Sequence, residues 1–135
     1  GSRRPLGIGA GGLAILGALP VTESERIVDV LGPKFAPFPL SSAEQILRSA
    51  RLARKLGYAL SDERVALGVR AVGVALHDAT GEPIAAIGLA AIRQRVSAER
   101  IPMLVGLLER ERVGIERAIV AAGGASVAVF DSASR

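Results

Sequence analysis

Two runs of small and β-branched residues, Val69 to Leu76 and Ile84 to Ala91, are separated by His77-Asp78-Ala79-Thr80-Gly81-Glu82-Pro83. So dense a set of turn formers between two apolar runs predicts an antiparallel β-hairpin. In the first arm Val72, Val74 and Leu76 alternate with Ala71, Gly73 and Ala75. Successive side chains of a strand point to opposite faces. One face of the hairpin is therefore bulky and the other almost bare, and Gly88 and Ala90 continue the bare set on the second arm. Such a face either packs tightly under a helix, because cores fill their space, or leaves a concavity for a ligand. The pattern alone leaves both open.

The segments before the hairpin read as helices. Gly7, Gly9, Gly11 and Gly12 lead into Leu13-Ala14-Ile15-Leu16, a loop opening a short helix that stops near Gly17 to Pro20. Thr22-Glu23-Ser24-Glu25 has the spacing of a capping box and predicts a helix from Glu23 to Leu31, stopped by Gly32-Pro33. Ser42 and Gln45 form a second such box, ahead of a helix that carries Ile46, Leu47, Ala50, Ala53 and Leu56 and stops at Gly57. Tyr58-Ala59-Leu60 is strand-like. Beyond the hairpin, Ser97 is placed to cap a long helix, Ala98 to Ala122, with Pro102 near its first turn and Ile101, Leu104, Leu108, Ile115 and Ile119 as its apolar stripe. Gly123-Gly124 ends it, and Val127 to Phe130 is one more short strand-like run. The fold class is α+β: an antiparallel β-sheet flanked by helices.

Composition narrows the chemistry. The 135 residues are one domain's worth of chain, half of them hydrophobic but only 3% aromatic, so the core is built from Ala, Val, Ile and Leu. The absence of cysteine removes disulfides, thiolate metal sites and cysteine nucleophiles. No apolar run is long enough to span a bilayer, no signal-peptide pattern is present, and the expected location is the cytoplasm. Gly1-Ser2 reads as a cloning scar. The net charge of +4 comes mainly from arginines set beside acids, as in Glu109-Arg110-Glu111-Arg112. That pattern is a solvated helix face, and the bases are not interleaved with aromatics as a nucleic-acid surface requires.

Three motifs invite a chemical reading. Gly7-Ile8-Gly9-Ala10-Gly11-Gly12 satisfies G-x-G-x-x-G, but a dinucleotide loop needs a strand before it and a βαβ unit around it. Neither is present. Glycines there allow close backbone approach, and the free amides of the following helix could meet a carboxylate. His77, the sole histidine, sits in a predicted turn with no nucleophile or metal partner in view and reads as solvated. Ser61-Asp62-Glu63-Arg64 is either a polar turn or a ligand-orienting one. Arg70 is an unusual charge within a strand.

Several segments, taken in order, resemble the effector-binding domain of IclR-type transcriptional regulators. They are Arg4-Pro5-Leu6 with the glycine loop, Gly57-Tyr58-Ala59-Leu60-Ser61-Asp62-Glu63, Gly68-Val69-Arg70-Ala71-Val72-Gly73-Val74-Ala75, Gly81-Glu82-Pro83-Ile84 and Arg95-Val96-Ser97-Ala98-Glu99-Arg100-Ile101. The resemblance covers residues 3 to 120. It implies a GAF-like sheet with flanking helices, a small-molecule effector, homodimers or homotetramers, and DNA contact only through an N-terminal winged helix outside this chain. It implies an effector-binding domain over residues 3–122, short of its first strands and so with an unprotected sheet edge, followed by a tail, 123–135. Carried over residue by residue, the pocket positions are Ala10, Gly11, Ser61, Asp62, Ala71, Gly88 and Ala90. Members that bind small hydrophilic acids carry Cys or Ser on the strands. Ala71, Gly88 and Ala90 stand there in this chain, which points to a larger and more apolar effector, such as an aromatic or cyclic acid. No catalytic residue, metal or cofactor is expected. Two alternatives remain: a small enzyme using Asp62 or Glu63 as base and Arg70 as anion clamp, and a dimerisation module with a filled interior.

Overall fold

The computed structural model describes residues 3–123. The hairpin organises it: β2 (Val69–His77) and β3 (Pro83–Ile92) pair antiparallel, and the short β1 (Ala59–Asp62) adds to the other side of β2 in the order β1-β2-β3. The register sorts side chains by size. Ser61, Ala71 and Ala90 lie across one row, Ala59, Gly73 and Gly88 across the next, and Ala75 faces Ala86. Val72 pairs with Leu89 and Val74 with Ile87 on the opposite face. The α+β class with an antiparallel sheet between helices is as expected from the sequence.

The bare face is covered by α1 (Ala10–Ala18), backed by α2 (Val21–Leu31) and α3 (Ala43–Leu56). Helix α1 is apolar all round, as a helix packed on several sides must be, and Leu13, Ala14 and Leu16 are buried in it. Its contact with the sheet runs through backbone: a Cβ on Gly73 would stand 2.9 Å from the Ala10 carbonyl carbon and 3.0 Å from the Gly11 nitrogen. At its other end a Cβ on Gly17 would meet Ala50 O and Ala53 Cβ of α3 at 3.0 Å. The bulky face is covered by α4 (Ile101–Ala121), whose Ile101, Leu104 and Leu108 close a second core with Val72, Val74 and Val96.

The helix ends sort into one that follows its side-chain cap and two that do not. At α3 the Ser42–Gln45 box is complete: the Ser42 amide donates to Gln45 Oε1 (2.9 Å) and the Gln45 amide to Ser42 Oγ (3.2 Å). Gly57 ends the helix in the left-handed region (φ 81°). The expected box at Thr22 does not form. Helix α2 starts at Val21, with the Pro20 carbonyl accepting the amides of Glu23 and Ser24. Proline's restricted φ suits helix entry, so the helix begins ahead of Thr22. Ser97 also fails as a side-chain cap for α4. Its carbonyl accepts the amides of Arg100 and Ile101 in a turn, and the helix proper starts at Ile101. Pro102 has no N–H to offer residue 98, so it is tolerated only where that bond is not needed, in the first turn. The Val127–Phe130 run lies outside the described residues. Among the described residues no helix is long and apolar enough to cross a membrane, and β3, with no charged residue, is an outer strand.

The Gly73 contact is testable. Gly73→Ala forces a methyl against α1 backbone and should cost about 1–3 kcal/mol in urea unfolding. Gly106→Ala, in exposed α4 with nothing within 4 Å of the new Cβ, should instead stabilise by roughly 0.5–1 kcal/mol.

Candidate functional site

The same alternation that builds the bare face leaves a cavity beside it. Helix α1 rests on the sheet at Gly73 and Ala86. Towards the Ser61–Ala71–Ala90 row the sheet is not covered, and a cavity of about 230 Å³ opens there. Six of the seven positions named from the sequence line it: Ala10, Gly11, Ser61, Ala71, Gly88 and Ala90. The bare face thus does both things its pattern allows, tight packing at Gly73 and open space at Ala71.

Asp62, the seventh, is not in that lining. It follows Ser61 in β1 and so points to the other face of the sheet. There Arg70 Nη2 donates to its Oδ2 at 2.8 Å, and Arg93 Nε stands 3.5 Å from its Oδ1. Arg70 Nη1 also donates to the Val96 carbonyl (3.1 Å). The hydrogen bond it donates to Asp62 holds the Arg70 guanidinium above its usual range. The rest of the acidic turn is likewise engaged. Glu63, at a left-handed φ of 57°, accepts the Gly68 amide on Oε1 (3.0 Å). Arg64 reaches back to Ser49 Oγ on α3 (2.7 Å), and burial pushes its pKa down. The segment is a structural turn that ties the sheet to α3.

The polar character of the cavity comes from three sources. Ser61 is buried and its hydroxyl donates to the Ile8 carbonyl (3.1 Å), fixing the glycine loop against β1. Helix α1 has no side-chain cap at Gly9 and no acid in its first turn. Its leading amides and the positive end of its dipole are therefore available at the cavity wall. Arg4, which the pocket reading of the sequence did not include, also lines the cavity, as do Val65 and Val69. The cations just ahead of the glycine loop, Arg3 and Arg4, are the signal that could have pointed to it. Val65 gave no signal, since it reads as part of a polar turn. The remaining lining is apolar.

His77 departs from its expected solvated role. It is the last residue of β2, and Glu116 Oε1 of α4 accepts both its backbone amide (2.9 Å) and a contact from its Nδ1 (3.0 Å). Arg112 bridges Glu116 and Glu109. The partner is 39 residues away in sequence, which is why no local pattern shows it. Among the described residues there is no cluster able to hold a metal ion.

The family of bacterial transcriptional regulator IclR C-terminal domains matches residues 1–113. This chain belongs to that family. The transcriptional repressor AllR of Escherichia coli K12 is 31% identical over 103 residues, 74% of this chain. The chain spans only 37% of AllR's length. The C-terminal domain of the E. coli regulator KdgR has the same fold, with a TM-score of 0.74 at 24% identity over 87% of this chain and 72% of that one. So has a double mutant of the Acinetobacter PobR inducer-binding domain in complex with 3-hydroxybenzoic acid, with a TM-score of 0.71 at 24% identity over 86% of this chain and 67% of that one. The chain is thus a C-terminal domain of the regulator family that the resemblance indicated.

The His77–Glu116 link gives a pH signature. Burial pushes the Glu116 carboxyl up, but the hydrogen bonds from the His77 ring and amide and the charge of Arg112 outweigh it, leaving the group below its ordinary value. A depressed carboxylate stabilises the fold above its unfolded pKa and loses that contribution as pH falls through its folded one. Glu116→Gln should therefore lower stability by about 1–2 kcal/mol at pH 7. The gap to the unsubstituted chain should close on acidification below about pH 4. Urea unfolding of both proteins across pH measures it.

Proposed function

We propose that the cavity between the N-terminus of α1 and the Ser61–Ala71–Ala90 row receives a small organic acid with an apolar body. On this reading the chain is the sensing domain of a cytoplasmic regulator. The observation that carries the proposal is the composition of the wall. One cation, Arg4, and the uncapped start of α1 stand at a cavity otherwise made of Ala, Gly, Val and Leu, with one buried hydroxyl. A carboxylate fits the polar end, because helix N-termini and guanidinium groups both favour anions. A ring or branched body fits the rest, where strand residues offer volume and no hydrogen bonds. The binding residues are then Ala10, Gly11, Ser61, Ala71, Gly88 and Ala90, with Arg4 added. Asp62 takes a supporting role through Arg70.

The proposed sensing unit is residues 3–122. Binding shifts a conformational equilibrium that is read out by a DNA-binding domain elsewhere in a homodimer or homotetramer. A catalytic reading, with Asp62 or Glu63 as base and Arg70 as clamp, has less support, because Asp62 and Arg70 are bonded to each other and Glu63 accepts the Gly68 amide. A purely structural dimerisation module calls for a filled interior beside Gly11 and Gly88, where a cavity stands instead.

Differential scanning fluorimetry and titration calorimetry test the assignment. Benzoate and 3-hydroxybenzoate should raise the melting temperature of the chain, and pyruvate and glyoxylate should not. Arg4→Gln should weaken binding about tenfold, equivalent to roughly 1.4 kcal/mol. Stabilisation by the two short acids alone would sink the apolar-effector assignment.

A further inference from the structure

A second and larger cavity, of about 470 Å³, lies at the opposite end of α1. It opens where β1 stops and β2 runs on towards His77, in the corner between α3 and α4. Its floor is small and apolar: Ala14, Gly17 and Ala18 of α1 and Ala75 of β2. Its rim is polar, with Arg54, Tyr58, His77, Arg112 and the Glu109 carboxylate that Arg112 neutralises. Concave sites with an apolar floor and a few convergent polar groups are where small molecules bind.

The rim chemistry specifies the kind of molecule. Arg112 is already matched by Glu109 and Glu116, and the His77 ring by Glu116 through Nδ1. Arg54 differs. Its Nη2 donates to the carbonyls of Leu16 (3.4 Å) and Leu19 (2.6 Å) at the end of α1. Among the described residues no carboxylate stands within ion-pair distance of it. The cavity thus carries one cation without an anionic partner. With Nδ1 taken, His77 keeps Nε2 as its remaining hydrogen-bonding atom, and the Tyr58 hydroxyl can both donate and accept.

We propose that this cavity is a second ligand site, taking an amphipathic hydroxy monocarboxylate whose acid group meets Arg54, whose hydroxyl meets His77 or Tyr58, and whose apolar body lies on the alanine floor. The site is separate from the effector cavity and does not depend on that cavity being occupied. Both abut α1, one at each end, so a molecule in the second site touches the helix whose start lines the first.

Mandelate is the probe, and amide chemical shifts of the isotopically labelled full chain are the readout. Titration should move the amides of Arg54, Tyr58 and His77. The movement should persist in Ala90→Phe, which fills the effector cavity. Arg54→Gln should raise the apparent Kd at least tenfold. Ala18→Phe, at an exposed floor position, should abolish the shifts while the chain still melts cooperatively, which keeps the test valid if loss of the Arg54 cap on α1 disturbs folding. The proposal is overturned if the folded chain shows no shifts with mandelate, if the shifts fall only at Ser61 and Gly88, or if Ala90→Phe removes them.

Discussion

The contact on which the molecule rests is that between the backbone of α1 and the backbone of β2 at Gly73. A helix normally stands off a sheet on its side chains. Here none intervenes, and α1 lies close enough that a single added methyl would overlap it. Close approach of this kind replaces a few large hydrophobic contacts by many short dispersion contacts, which suits a chain so poor in aromatic residues. It also has a cost. Helix α1 brings no polar side chain of its own, so its end groups rely on neighbours. The Ser24 hydroxyl donates to the Leu16 carbonyl (2.6 Å), Arg54 to the Leu19 carbonyl, and Ser61 to the Ile8 carbonyl just before the helix. Three other elements thereby set where the helix sits.

The sheet divides stability from recognition. On the bulky face, Val72, Val74 and Ile87 pack with Val96 and the first half of α4. On the bare face the small residues allow both the α1 contact and the open space next to it. Along one strand, a step of one residue moves from the cavity to a structural tie: Ser61 faces the cavity, and Asp62 faces an ion network that anchors β1 to Arg70.

Much of this could be read from the chain. The hairpin, the asymmetry of its faces and the Ser42 cap depend on local spacing, and local spacing is what a sequence displays; the cavity positions follow from the resemblance, six of the seven lining the cavity. What local spacing does not display is of two kinds. The resemblance covers both Ser61 and Asp62, and strand alternation sends neighbours to opposite faces, so only Ser61 of the two lines the cavity. His77, Arg4 and Val65 depend on groups far apart in sequence. Glu116 meets His77 only because α4 crosses the bulky face, and Val65 meets the cavity only because the turn after β1 folds back over it. The helix starts at Val21 and Ile101 were missed where proline backbone geometry, rather than a side-chain cap, decides where a helix begins.

The bare face has a consequence for how such a domain diversifies. Because the cavity is bounded by hydrogens and methyl groups at Gly11, Ala71, Gly88 and Ala90, its shape is written in the smallest increments side chains allow. Exchanges among Gly, Ala, Ser and Val at the positions not pressed against backbone redraw the space without touching the core under α4. Gly73 and Gly88 lack that freedom, since each lies against neighbouring main chain. On the proposed reading, single conservative steps at Ala71 and Ala90 change which molecule fits, while the framework around the cavity stays intact.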